Sequence, residues 1–301
     1  MKHKSLIIYL VITTVLSAGF IVLMKFVGQK GFFLAQFYML GPAIAAIITR
    51  AFFYENKFKD ANLKIGKPKY YLQFWAIASG ITVLSYVIFT LLGAISWDFT
   101  GQSFLDNLAK QLASTGQDIN KNLPPGFTPQ MMLWLFFIGG LTIFNLFPGI
   151  ITGFGEEFGW RGFMFPQLYK IKPWVAFIIG GLIWYAWHIP LVLLFPQTYG
   201  YTLWQTMLNV VTLAIGSICT FTFLAYVYIK TENIFVTSVA HITLNNSARS
   251  FAYFAIVQNQ LLANIGLTIT MLIVVAVLFY SKKLKVFEEY FKKKCDTDRG
   301  C

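Results

Sequence analysis

Apolar residues in this chain fall in long runs divided by short polar or basic interruptions, and the runs are about as long as a bilayer is thick. A helix needs about 20 consecutive apolar residues to cross the hydrocarbon core. Eight segments approach that length: 5–24, 31–49, 70–95, 130–154, 174–195, 203–229, 233–250 and 261–280. Segment 233–250 is the weakest, because it holds His241, Asn245, Asn246 and Arg249. Such a helix must face protein or a water-filled cavity rather than lipid. The pattern predicts an all-α, polytopic membrane protein with about eight transmembrane helices around a polar intramembrane cavity. It reads as one integral membrane domain over 1–301. Residues 1–129 carry the first three spans and an outer loop, 130–250 the core spans, and 251–301 the last span and a basic tail. No internal repeat of the kind found in inverted-repeat transporters is visible.

Two segments between or after the spans carry a pattern of their own. In 96–129, Phe104, Leu105, Leu108 and Leu112 recur at helical spacing. This fits a helix on the membrane surface, or equally a solvated loop closing at Pro124-Pro125-Gly126. In 281–301, Leu284, Phe287 and Phe291 are set among lysines. That fits a basic amphipathic helix on the anionic inner leaflet, or a plain basic flank to the last span.

Composition agrees with a membrane protein. Hydrophobic residues are 57% and charged residues 12%, against ~25% charged in soluble domains, and mean hydropathy is +0.63. A soluble globule, a disordered chain and a coiled coil are all excluded. The net charge of +12 reflects basic residues flanking the spans, so no nucleic-acid partner is expected. In an eight-span layout 19 of the 24 Lys and Arg residues fall on the side of the two termini and 5 on the other. The positive-inside rule then puts both termini in the cytoplasm. The chain is expected to be an integral, multi-pass membrane protein, in the plasma membrane if its source is prokaryotic, with the active site toward the cytoplasmic side. The apolar run from Ser5 to Met24 is too long for a secretory signal and is expected to stay as a span. The cysteines Cys219, Cys295 and Cys301 have no ligand spacing, so no disulfide framework or structural zinc site is expected.

Polar groups at membrane depth are costly, which makes them informative. Among the 12 acidic residues only the adjacent Glu156 and Glu157 lie in a core segment, and two of the 3 histidines, His188 and His241, lie inside spans. On a helix Glu157 and Arg161 are i,i+4 neighbours and can pair, while Glu156 points about 100° away. One carboxylate is then neutralised and the other left for chemistry, unless both only brace a helix end. Trp184 and His188 share a helical face just before Pro190, whose missing N–H predicts a kink. His241 and Asn245 share another face. Taken alone, His188 is as well explained as a structural His bonded to the carbonyl region that Pro190 frees, and His241 with Asn245 as helix–helix hydrogen bonding. Together a free carboxylate, two imidazoles and a carboxamide on three helices are sufficient for hydrolysis. A Glu, with or without a His, deprotonates water, and donors from a His and an Asn hold the oxyanion. Glu156, His188 and His241 would alternatively hold a zinc ion with an open position. No H-E-x-x-H occurs, so a zincin-type site is excluded.

The ordered motifs Glu156-Glu157-x-x-x-Arg161, Trp184-x-x-x-His188 and His241-x-x-x-Asn245 resemble those of the type II CAAX prenyl endopeptidases. These belong to the CPBP intramembrane proteases (CAAX proteases and bacteriocin-processing proteins). The resemblance covers about Gly153 to Ser247. It implies an all-helical membrane core with a conical cavity open toward the cytoplasm and bilayer, and a lipidated (CAAX-type) or hydrophobic peptide as substrate. It implies that Glu156 activates the water, that His188 assists, and that His241 and Asn245 serve the oxyanion. Glu157 and Arg161 would support them. The second motif usually begins with Phe, and here it is Trp184. No firmly held cofactor is expected, with zinc as the alternative. Two other functions fit the chain less well: a non-processing self-immunity or scaffold protein of the same family, and a proton-coupled transporter relaying through Glu156, His188 and His241. A bis-His haem fits least.

Overall fold

The computed structural model describes residues 3–28, 34–113, 116, 118–119, 121, 123–142, 146–147, 149–194, 201–281, 285–289 and 292. The helices are α1 (Lys4–Val27), α2 (Ala35–Tyr38), α3 (Gly41–Phe53), α4 (Pro68–Leu91), α5 (Gln102–Ala113), α6 (Pro129–Leu141), α7 (Gly149–Gly159), α8 (Phe165–Tyr169), α9 (Gly180–Leu194), α10 (Leu203–Thr231), α11 (Ile234–Ala252) and α12 (Gln260–Tyr280). A π-helical turn, Trp160–Met164, joins α7 to α8, and a second, Val175–Ile179, leads into α9. Two three-residue strands, β1 (Ile95–Trp97) and β2 (Ala255–Val257), pair antiparallel with Ile95 opposite Val257.

The protein is an all-helical polytopic membrane protein apart from this ribbon. Among the described residues six helices are long and apolar enough to cross a membrane: Lys4–Val27, Ala35–Phe53, Pro68–Leu91, Val175–Leu193, Leu203–Thr231 and Gln260–Tyr280. Apolar side chains such as Ile7, Val15, Leu72, Val192 and Val277 stand exposed on them, as a lipid-facing surface requires.

The expected span 130–154 is not one helix. α6 ends at Leu141 after 13 residues and α7 begins at Gly149. Gly139 and Gly140 weaken α6 just before it ends. The expected span 233–250 is a helix of 19 residues, α11, too polar to rank among the six. It is packed in protein, against α4, α7, α6 and α10. The run 70–95 stops as helix at Leu91, and its last residues enter β1. The second span breaks at Met39-Leu40, just before Pro42 in the first turn of α3, where a missing N–H is tolerated. α9 continues through Pro190 as helix.

In the outer loop the helical reading holds: α5 forms over 102–113 and buries Leu105 against Leu133 and Phe254. In the tail, Phe287 is buried and meets the rings of Phe165 and Phe177 at 6.5 and 4.8 Å. That face of the tail therefore docks on the protein. Residues 29–33, Pro148, residue 195, Leu284, Phe291, Cys295 and Cys301 lie outside the described residues.

The helix ends are set by local chemistry. Thr202 and Gln205 form a reciprocal capping box at the start of α10. α10 ends at Glu232 in the left-handed region, φ 47°, and Asn233 at once caps α11 through the N–H of Val236 at 2.9 Å. Asn233 Nδ2 also donates to the carbonyl of Lys64. The α3–α4 loop and the α10–α11 turn thus share one pole of the molecule. Arg50, buried at the end of α3, holds the same pole by donating to the carbonyls of Lys57 and Gly162 and pairing with Asp60 at 2.5 Å. The β1–β2 ribbon, α5 and Phe254 form the other pole.

Candidate active site

α7 lies between α3 and α11, and its glycines set how closely. A Cβ on Gly159 would sit 2.6 Å from the carbonyl oxygen of Pro42, and one on Gly153 would sit 2.4 Å from the Ile242 side chain. Any larger residue would push α7 away from the helices that complete the site.

Glu156 and Glu157, at the end of α7, meet different surroundings. Glu157 is fully buried and its Oε1 takes two donors, Arg161 Nη1 at 2.8 Å and His241 Nδ1 at 2.7 Å. The Arg161 guanidinium lies 4.1 Å from the centroid of the Phe221 ring and 5.4 Å from that of Trp184, an aromatic lining suited to a desolvated cation. The expected Glu157–Arg161 pair therefore forms, and a group from a third helix joins it.

Glu156 lines a cavity of about 790 Å³ together with Trp184, His188, His241, Asn245 and Arg249. Its Oε2 accepts the indole N–H of Trp184 at 2.9 Å and stands 3.9 Å from His188 Nε2. His188 Nδ1 lies 2.8 Å from the carbonyl of Trp184. A carbonyl only accepts, so Nδ1 carries a proton, and Nε2 is the nitrogen turned toward Glu156. The His188 side chain is 32% exposed. With Nε2 unprotonated, a water bridging it and Glu156 would donate to both. The Trp184 ring stands between the histidines, 5.0 Å from His188 and 5.9 Å from His241 by centroids. Asn245, four residues beyond His241, is exposed and lines both this cavity and a neighbouring one of about 640 Å³.

All seven residues singled out from the sequence thus gather within one connected cluster. Their pairing differs from the simplest expectation in two respects. His241 is bonded to Glu157 as well as lining the cavity, and Trp184 is a hydrogen-bond donor to Glu156 as well as a packing aromatic. Among the described residues no group of three His, Cys, Asp or Glu side chains is placed to hold a metal ion. His241 donates through Nδ1 to Glu157 and keeps Nε2 free, an arrangement that a metal-ligating His also has. Sequence reasoning treated Arg50 as a topology charge, although its place at the end of an apolar run was a signal that it is buried. Arg249, which the sequence counts as an outer-side charge and a weakness of segment 233–250, lines the cavity.

A buried carboxylate and an imidazole that face each other on a cavity wall are groups suited to activating water. Comparison agrees: residues 138–247, the stretch carrying all three motifs, match the family described as Type II CAAX prenyl endopeptidase Rce1-like. Over that stretch, about a third of the chain, the protein is similar to a family of proteases. None of the curated proteins matches the chain.

Proposed function

We propose that the protein is an intramembrane endopeptidase that hydrolyses a peptide bond near a lipidated or hydrophobic terminus of its substrate. The observation that carries this reading is the Glu156–His188 pair, a carboxylate and an imidazole nitrogen 3.9 Å apart on the wall of a large cavity. With Nε2 unprotonated, a water between them loses a proton to Glu156 while His188 Nε2 holds its second hydrogen. The hydroxide attacks the scissile carbonyl carbon, and the charge on the carbonyl oxygen is met by the Asn245 amide and His241. Glu157 accepts from His241 Nδ1, so Nε2 donates to that oxygen when the ring is an imidazolium balanced by Glu157. The tetrahedral intermediate collapses with cleavage of the C–N bond, and Glu156 returns its proton to the leaving amine. No step is routed through a metal. The 19-to-5 distribution of basic residues supports cytoplasmic termini, and the α3–α4 loop and α10–α11 turn sharing a pole agree with that layout.

The test is cleavage by purified protein in detergent of a panel of prenylated CAAX peptides and unprenylated hydrophobic leader peptides, with and without a chelator. Cleavage is expected with the wild type and lost with Glu156→Gln. Cleavage retained by that variant would overturn the assignment of the base, and chelator sensitivity would overturn the metal-free route.

A further inference from the structure

The 640 Å³ cavity has no role in the chemistry above. It lies between α4, α10, α11 and α12, and Ile95 and Val257 of the β1–β2 ribbon stand at one end of it with Gln260, the first residue of α12. On α12 its lining extends from Gln260 to Met271, roughly 16 Å at ~1.5 Å per residue. α11 runs toward the ribbon, so Asn245 marks the end away from it. Trp184, Asn245 and Arg249 line the 790 Å³ cavity as well. The two cavities therefore meet beside the indole that bonds Glu156. Polar groups recur along the whole depth. The hydroxyls of Thr82, Ser85 and Thr220 donate to carbonyls of their own helices, at Ala78, Ile81 and Gly216, so their oxygens remain as acceptors. Near the ribbon, Gln260 Nε2 donates to Asn264 at 3.0 Å and Asn264 Nδ2 to Asn209 at 2.7 Å.

Hydroxyls, carboxamides and a guanidinium that face a cavity at membrane depth are costly unless water solvates them. An acyl chain in the same space would leave them unpaired. Liquid water takes ~30 Å³ per molecule, so a cavity of this size holds a continuous file rather than a single trapped water. We propose that this cavity is the water supply of the site: water enters at the β1–β2 ribbon and reaches Glu156 past Asn245, while the peptide occupies the 790 Å³ cavity. This rests on the proteolytic reading and adds to it a separate entrance for the second reactant. Hydrolysis consumes water at every turnover, and a hydrophobic peptide seated against Glu156 expels water from its own cavity. A second opening renews the water without release of the peptide.

The experiment uses the full-length protein in detergent, with Cys219, Cys295 and Cys301 replaced by Ser and a single cysteine placed by Ser217→Cys or Ser85→Cys. Both positions line the 640 Å³ cavity and not the other. A charged methanethiosulfonate attacks the thiolate, which forms where water reaches it. Both cysteines are expected to react, at a rate that a bound, uncleavable hydrophobic peptide leaves unchanged. A bulky adduct on Ser217→Cys is expected to lower kcat roughly tenfold or more with little change in KM. A methyl adduct should spare kcat, and reduction of the mixed disulfide should restore it. In the otherwise native chain, Ser217→Leu should lower kcat in the same way and Ser217→Ala should not. Failure of both cysteines to react, while one at the exposed Gln258 does, overturns the inference. So does reaction that the bound peptide abolishes, since water would then share the peptide's entrance. A bulky adduct or a Ser217→Leu chain with unchanged kcat overturns it too. In each of these cases the wild type still cleaves and the protease stands. No cleavage of any peptide by wild type overturns the proteolytic reading and the inference together.

Discussion

Glu156 and Glu157 are neighbours in the chain but belong to two differently built regions. Around Glu157 everything is closed: a buried carboxylate, a buried guanidinium and an imidazole meet at one oxygen. Around Glu156 the wall is open: one indole N–H binds, one imidazole nitrogen stands off at 3.9 Å, and the rest is cavity. Opposite charges paired away from water hold helices together, and a carboxylate on a cavity wall is within reach of a reactant. The closed region also supports the open one, since the bond from Glu157 fixes His241, which lines the cavity. A helix turning 100° per residue is what allows two adjacent carboxylates to be divided this way.

The contrast is broken most directly by Glu156→Gln. Cleavage is expected to fall by about 10²–10⁴-fold, with the thermal unfolding midpoint in detergent nearly unchanged. A comparable loss at Glu157→Gln without unfolding would show that the two carboxylates share the chemistry. Arg161→Ala attacks the closed region and should act on stability. It leaves Glu157 buried with a weaker partner set, at a cost of about 3–5 kcal/mol, read as a lower unfolding midpoint and greater protease sensitivity. Trp184→Phe sharpens the comparison, because it keeps the aromatic wall and removes the donor to Glu156. A roughly tenfold fall in kcat with little change in KM is expected, and unchanged kcat would reduce the indole to a packing element.

The smallest effect lies at the outer pole and serves as a control. The Thr100 hydroxyl first, then the Ser103 N–H, hold the Asp98 carboxyl well below the usual range. The fold therefore favours its charged form. That support is complete above the ordinary aspartate value of ~3.9 and is lost as pH falls below it. The protection factors at the start of α5, taken relative to intrinsic exchange at each pH, should fall at acid pH in the wild type, and Asp98→Asn should remove that fall while leaving cleavage intact.

Contacts within one helix were legible in the sequence, and contacts between helices were not. Glu157–Arg161 follows from i,i+4 spacing, and the Trp184–His188 face from the same rule. The His241–Glu157 and Trp184–Glu156 bonds cross 84 and 28 residues, and no periodicity encodes which atoms meet there. Hydropathy located the six long spans but merged α6 with α7, because an apolar composition continues across a break in the backbone. It also hid β1 and β2, whose three residues each are too few to show alternation. Phe287 looked like a membrane-facing residue because only the folded core reveals the Phe165–Phe177 site that receives it.

The β1–β2 ribbon also bears on the order in which the protein is made. Ile95 meets Val257 only after the ribosome has supplied every residue between them, and closing so long a loop is slow. His241 likewise reaches Glu157 only once α11 has been synthesised. A nascent chain halted after α10 would hold the Glu157–Arg161 pair and the Glu156–His188 pair but neither the imidazole nor the carboxamide of α11. On the proposed reading the site stays incomplete through most of the chain's synthesis and closes only when α11 packs against α4, α7, α6 and α10.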